Sequence, residues 1–175
     1  NRVLFDEVSR IECVGIDQSR ENLAMASRLL HDCIASGMLP GGIACEASFR
    51  QAPLLSRQCT RELGKHPAGF NLVIAGNVIT ELHGEDLQNL LREIEACMAP
   101  GGALTIIDPG TKKSSRQLLT VRDAALQATA LHLCAPCLQS GPCPLADRGT
   151  AWCHEKIFWK PAGMVQAVDA VLPFT

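Results

Sequence analysis

Short apolar segments alternate with helix-like segments along the first 130 residues, and this alternation most limits the possible folds. Continuous apolar runs at 12–16, 70–75 and 103–107 are typical of strands covered on both faces, and 42–49 is a weaker candidate. Strands joined by helices in this order form a mostly parallel sheet with helices on both faces. The sequence therefore predicts an α/β protein with a doubly wound, mostly parallel sheet.

The helix patterns between these runs have recognisable starts and stops. We expect helices at residues 20–36, within 54–63, from just after Gly84 to 98, and from Ser114 or Ser115 to about 128. Ser19 is the expected cap of the first of them. We also expect the tail of a helix at 1–10 and a short strand at 130–134.

Composition describes one globular domain. The chain has 175 residues, 47% of them hydrophobic, and a net charge of −2, which fits one domain with one core. We expect a single domain over 1–175, incomplete at both ends, with a cysteine-rich insertion at 134–154. The near-neutral charge gives no overall attraction to nucleic acid or anionic lipid, so any contact with RNA has to be local. No apolar run has the roughly 18 residues that span a bilayer.

Polar residues follow three of the predicted strands. Asp17 follows the strand at 12–16, Gly76 and Asn77 follow the one at 70–75, and Asp108 follows the one at 103–107. In open α/β sheets, ligands bind past the carboxyl ends of the strands, and an acid there accepts hydrogen bonds from ribose hydroxyls. We therefore predict that Asp17 binds a ribose; the alternative is that it caps the helix that begins after it. For Gly76, Asn77 and Asp108 the alternative is a turn.

Four cysteines lie within 20 residues of a proline-rich stretch, in the pattern C-x2-C-x5-C-x9-C-H. They are Cys134, Cys137, Cys143 and Cys153, and His154 follows directly. The prolines and glycines between them exclude a continuous helix or central strand, so a bound metal or cluster would give the loop its shape. The uneven gaps fit a [4Fe-4S] cluster better than a zinc ion. The alternatives are zinc, or thiols that only pack as small apolar groups.

The other five cysteines are scattered singly. Cys13, Cys33, Cys45, Cys59 and Cys97 lie mostly inside apolar patterns, and we interpret them as core residues. An odd total of nine, with no signal-peptide pattern at the start, does not describe a disulfide framework. We therefore expect reduced thiols in a cytoplasmic protein, or in a mitochondrial one if the source is eukaryotic.

Several short motifs add to this pattern. They are Asn77-Val-Ile-Thr-Glu-Leu82, Met98-Ala-Pro-Gly-Gly102, Asp108-Pro-Gly-Thr111, Arg122, Ala135-Pro-Cys137, Cys143-Pro-Leu145 and Trp152-Cys153-His154. From about residue 11 to 134 the chain resembles class I S-adenosylmethionine-dependent methyltransferases, which have a Rossmann-like fold. With the cysteine motifs, nearly the whole chain resembles the methyltransferase-like family associated with the small subunit of the mitochondrial ribosome, and its bacterial relatives.

The resemblance implies a seven-stranded sheet and an S-adenosylmethionine pocket. Asp17, Gly76 and Asn77 are then cofactor-binding residues, and the methyl acceptor would meet the cofactor beside Asn77, which Glu81 could orient. The family's first strand and its glycine-rich turn are not in this sequence, and neither is an Asn-Pro-Pro-Tyr motif or any tyrosine. Methyl transfer with Asn77 as the catalytic residue is one prediction, and a fold that no longer transfers methyl groups is the alternative.

For the cysteine loop the resemblance implies a [4Fe-4S] cluster. Cys137, Cys143 and Cys153 match the family's cysteines, whereas Cys134 has no identified counterpart. The fourth ligand therefore stays open between Cys134, His154 and a cysteine beyond residue 175. Zinc remains the alternative metal.

The resemblance also implies a partner, because the family is linked to assembly of the small ribosomal subunit. One hypothesis is a methyltransferase-like protein that acts on, or descends from enzymes that act on, ribosomal RNA or a ribosomal protein. The other is a non-catalytic assembly factor that keeps the fold and an Fe-S or Zn site. Lys112, Lys113 and Arg116 form the one basic group, which would either contact an RNA phosphate or begin a solvated helix.

Overall fold

The computed structural model describes residues 8–37, 42–79, 82–137, 139–146, 152–153, 163 and 166. Strands and helices alternate along them in the order β1 (Arg10–Asp17), α1 (Arg20–Ala35), β2 (Ala44–Gln51), α2 (Arg57–Leu63), β3 (Phe70–Gly76), α3 (Gly84–Cys97), β4 (Met98–Ile107) and α4 (Lys112–Ala128). The predicted α/β class is confirmed by this order. The expected helix tail at 1–10 lies outside these residues up to position 7, and β1 begins at Arg10 instead. No helix in the described ranges is long and apolar enough to cross a membrane.

The strands form two parallel pairs. β1 pairs with β2 over the whole length of both strands, and β3 pairs with β4. The parallel direction and the helical crossovers α1 and α3 are compatible with a Rossmann-like fold. The single doubly wound sheet that we expected is not formed by the described residues, which hold two separate two-stranded sheets. Helix α1 connects the two strands of the first pair, and helix α3 connects the two strands of the second pair. Helix α2 leads from the first pair to the second.

The start of β4 bends round the start of β3. Phe70 pairs with Met98, but Leu72 already pairs with Ala103, so β4 carries extra residues here. A Cβ atom on Gly102 would lie 2.7 Å from the carbonyl oxygen of Phe70, so only glycine allows this close approach. The helix predicted to reach Met98 ends one residue earlier, because Met98 has an extended backbone and opens β4.

The core lies between α3, α4 and one face of the β3–β4 pair. Its buried members are Ala75, Ile79, Leu87, Leu90, Leu91, Ile94 and Val121. The four residues from α3 follow the i, i+3, i+4, i+7 spacing from which we predicted that helix, and their burial confirms it.

The opposite face of the β3–β4 pair is uncovered by the described residues. Leu72, Ile74 and Ile107 keep 54%, 61% and 56% of their surface exposed. The apolar run of β3 predicted that both faces of the strand would be covered, and the described residues cover one of them.

The helix caps differ in how well the sequence predicted them. The side chain of Ser19 accepts a hydrogen bond from the N–H of Asn22 and caps α1, as expected. α4 begins earlier than predicted, because Thr111 Oγ1 accepts a hydrogen bond of 3.1 Å from the N–H of Ser114. Ser114 and Ser115 therefore lie inside the first turn, and the prediction of either as the cap was wrong.

The short strand predicted at 130–134 is also absent from the structure. The N–H of Ala130 donates to Glu95 Oε1 at 2.6 Å, and the N–H of Leu131 donates to Thr129 Oγ1 at 3.2 Å. Side chains thus satisfy backbone groups that a neighbouring strand would otherwise have to satisfy.

Glu62 is the buried charged residue of the described chain. Its side chain is 8% exposed, and both carboxylate oxygens accept hydrogen bonds from Lys65 Nζ, at 2.8 and 2.7 Å. Arg50 Nε of β2 lies 3.4 Å from the same carboxylate. The hydrogen bonds from Lys65, helped by the nearby cations, hold the pKa of Glu62 below its ordinary value. This ion pair fastens α2 to β2.

Candidate functional site

Asp17 lies at the carboxyl end of β1, and its carboxylate organises the start of α1. Oδ1 accepts a hydrogen bond of 2.7 Å from the N–H of Ser19, and Oδ2 accepts one of 3.2 Å from Asn22 Nδ2. These bonds confirm the interpretation of Asp17 as part of the helix cap. Each carboxylate oxygen has a second lone pair, so the predicted binding of ribose hydroxyls stays chemically possible and stays a prediction.

Gly76 and Asn77 lie where β3 ends, in a different strand pair from Asp17. Asn77 has a φ of +54°, a left-handed conformation that asparagine tolerates better than most residues. Its N–H donates to the carbonyl of Ile107 at 2.8 Å, and its side chain is exposed. This confirms the turn interpretation, and such a constrained backbone is common at ligand sites.

The strand ends are not joined to one another. Asp17 and Asn77, both within the described ranges, share no hydrogen bond, and a Cβ atom on Gly76 would have no heavy atom within 4 Å. The edge therefore presents open space beside Gly76. Glu81, which was expected to orient Asn77, lies outside the described residues.

A cavity that the sequence did not indicate opens between the start of α3 and the first turns of α4. Its volume is about 440 Å³, which is within the usual range for small-molecule sites. It is lined by Leu82, His83, Gly84, Leu87, Arg116, Gln117 and Thr120. Gln117 Nε2 lies 3.3 Å from His83 Nδ1 and links the two helices across it. The lining residues of the two helices are at least 29 positions apart in sequence, so no local pattern could have found the cavity.

The predicted basic group does not present one uniform surface. Lys112 and Lys113 are exposed in the first turn of α4, whereas Arg116 is half-buried and lines the cavity. The first turn of α4 contains no acidic residue to neutralise them. Positive charge therefore accumulates at a helix N-terminus, where the helix dipole is itself positive.

The cysteine loop is bound to α4 at two places. Arg122 Nη2 donates to the carbonyl oxygens of Gln139 and Gly141, at 2.7 and 2.6 Å. Seven residues earlier on α4, Ser115 Oγ donates to the carbonyl oxygen of Cys153 at 2.6 Å. Arg122 was noted only as one residue of a motif, and this role in the loop was not predicted.

The four cysteines of the loop are free thiols. Cys134 and Cys153 are exposed, while Cys137 and Cys143 are half-buried. Among the described residues, no three His, Cys, Asp or Glu side chains lie close enough together to hold a metal ion. By its chemistry the set of thiols fits zinc or an iron-sulfur cluster, although the described arrangement does not gather three of them. His154 lies outside the described residues.

Thiols outside the loop have a different environment. Burial raises the pKa of Cys13, Cys59 and Cys97, so these thiols ionise less readily than an exposed cysteine. The predicted core position is confirmed for Cys59, which is 2% exposed. Cys13, Cys33, Cys45 and Cys97 are only half-buried, so for them the prediction was too strong.

Comparison with known proteins gives one finding at the level of the family. The model of the family described as mitochondrial small ribosomal subunit Rsm22 matches residues 5–167. No curated protein and no solved structure matches the chain. The match covers every described strand and helix, the candidate edge and the cysteine loop.

Proposed function

Because the chain belongs to the mitochondrial small ribosomal subunit Rsm22 family, we propose that it serves that subunit as an S-adenosylmethionine-dependent methyltransferase-like protein in mitochondria. The partner is the small subunit or its RNA. The observation that carries the proposal is the pair of strand ends in a parallel α/β fold, with Asp17 at the end of β1, Gly76 at the end of β3 and Asn77 directly after it. Ligands of such folds bind at this edge.

Each residue of the edge has a proposed task. S-adenosylmethionine, when bound, supplies a methyl group on a positively charged sulfur. Asp17 would accept hydrogen bonds from its ribose hydroxyls through the free lone pairs of the carboxylate. Gly76 leaves room for close approach, and the exposed amide of Asn77 would orient the acceptor atom.

Calorimetric titration of the intact protein with S-adenosylmethionine tests this proposal. We expect saturable heat, and we expect Asp17→Asn to weaken binding by at least about tenfold, since hydrogen bonds to a charged group contribute about 1.5–3 kcal/mol. Asp32→Asn is the matched control, because Asp32 is an exposed acid near the other end of α1. Absence of heat at millimolar cofactor would remove the methyltransferase proposal.

A second candidate is a non-catalytic assembly factor that keeps the fold and a metal site. It is favoured by the carboxylate of Asp17, which already bonds to Ser19 and Asn22 at the start of α1. Co-sedimentation with small ribosomal subunits in a protein that gives no heat with S-adenosylmethionine would support this candidate over the first.

Under both candidates we propose that Cys134, Cys137, Cys143 and Cys153 hold a [4Fe-4S] cluster, with zinc as the alternative. Metal binding commonly orders its own ligands, so the sulfurs would be gathered as the group binds. Elemental analysis of anaerobically purified protein should find iron and sulfide, or zinc. We expect Cys143→Ser to loosen 134–154 and to leave the strand pairs folded; protein with none of these elements contradicts the proposal.

A further inference from the structure

Helix α4 contacts the cysteine loop through side chains on one of its sides. Ser115 donates to the carbonyl oxygen of Cys153, and Arg122 donates to those of Gln139 and Gly141. Residues seven apart on a helix lie almost above one another, about 10 Å along the axis. One side of α4 therefore contacts the loop both at Cys153 and between Cys137 and Cys143.

Arg122 is suited to hold a segment of chain in place. Its side chain is 9% exposed and forms an ion pair with Asp123 through Nη1, which offsets the cost of burying the charge. Hydrogen bonds from a guanidinium to two carbonyl oxygens are charge-assisted and fixed in direction. Its Nε is buried and has no hydrogen-bond partner among the described residues, so one donor remains for a further acceptor.

We propose that α4 positions the cysteine loop before any metal binds, with Arg122 and Ser115 as positioning residues for Cys137, Cys143 and Cys153. The benefit of this positioning for metal binding depends on the proposed metal site, whereas the positioning itself is inferred from the three hydrogen bonds. A loop whose backbone is already held loses less conformational entropy when its sulfurs are gathered, and the metal consequently binds more tightly.

The first test measures hydrogen–deuterium exchange in the intact protein, reduced and stripped of metal with a chelator. We expect Arg122→Met to speed exchange in peptides covering 139–146 by at least about tenfold, which is the loss of roughly one hydrogen bond to a charged group. Peptides from β3 and β4 should keep their rates. Arg92→Met is the matched control, since the hydrogen bonds of Arg92 within the described part of the chain go to Asn89 and Gln88 on its own helix.

Unchanged exchange at 139–146 in Arg122→Met would overturn the proposal. If that variant fails to fold, Ser115→Ala replaces it, because it removes the bond to Cys153 without breaking an ion pair. Faster exchange in the peptide containing Trp152 and Cys153 then supports the proposal, and unchanged exchange overturns it.

The second test measures zinc affinity by competition with a chromogenic chelator. Loss of a residue that supports metal ligands typically weakens binding about 10–100-fold, and we expect that loss in Arg122→Met and not in Arg92→Met. Arg122→Lys should recover only part of it, because one ammonium group cannot replace both Nη2, which donates to the two carbonyls, and Nη1, which pairs with Asp123. Equal zinc affinity in wild type and Arg122→Met would overturn the proposal. If wild type binds neither zinc nor iron while the exchange result holds, the proposed metal function fails and the positioning by α4 stands.

Discussion

Two isoleucines near the end of β3 allow the uncovered face of the β3–β4 pair to be tested. Ile79 is 0% exposed in the core, whereas Ile74 is 61% exposed on the opposite face. A fully buried Ile→Ala change lowers the free energy of unfolding by about 2–5 kcal/mol, through lost transfer energy and the cavity left behind. Ile74 has only about four tenths of its surface in contact and leaves no enclosed cavity, so Ile74→Ala should lower it by about 1 kcal/mol.

Urea unfolding of the two variants, followed by circular dichroism, measures this difference. We expect the midpoint of Ile79→Ala to fall well below that of Ile74→Ala, since the gap of at least about 2 kcal/mol is a large part of the 5–15 kcal/mol typical of a folded domain. Slopes of the transitions should stay equal. An Ile74→Ala loss as large as that of Ile79→Ala would show that this face is covered in the intact protein and would refute the reasoning from exposure.

Two further changes have expected outcomes. Hydrogen bonds from Lys65 hold the pKa of Glu62 below its ordinary value, so the resulting stabilisation is complete above the ordinary carboxyl range and is lost as the pH falls through the lowered value. Urea unfolding over a pH series should show this loss, and Lys65→Met should reduce it; an unaltered pH dependence would speak against the pairing. Gly102→Ala should lower the free energy of unfolding by about 1–3 kcal/mol through overpacking, whereas Gly110→Ala, with open space around its Cβ position, should change it little.

The local sequence pattern was sufficient to predict much of the fold. Periodicity identified the buried face of α3, because Leu87, Leu90, Leu91 and Ile94 meet the same neighbours. The prediction failed at 130–134, a mostly apolar segment that resembles a strand, because no strand among the described residues lies beside it. Pairing is a long-range property, and here Glu95 satisfies the N–H of Ala130 first.

The sequence likewise predicted some residues of the candidate site and missed the role of others. Asp17, Gly76 and Asn77 were predicted from the sequence because they end or follow buried strands, and ligands of α/β sheets bind past such strand ends. The structure places them at strand ends that belong to two separate strand pairs. Arg122 was not assigned a role, because an arginine on a helix is normally solvated. Its contacts are 17 and 19 residues away, at Gln139 and Gly141. Only the packed structure shows that this arginine is buried and bonds to the cysteine loop.

Helix α4 contacts both the cysteine loop and the cavity at the start of α3. With 3.6 residues per turn, Ser115 and Arg122 share one side of α4, while Arg116, Gln117 and Thr120 line the cavity from another. Val121 anchors the helix in the core at 1% exposure. A helix fixed in this way moves as a unit, because shifting one side against a close-packed core shifts the other. We therefore expect order in the cysteine loop and the shape of the cavity to be linked through α4, in a methyltransferase and in a non-catalytic assembly factor alike.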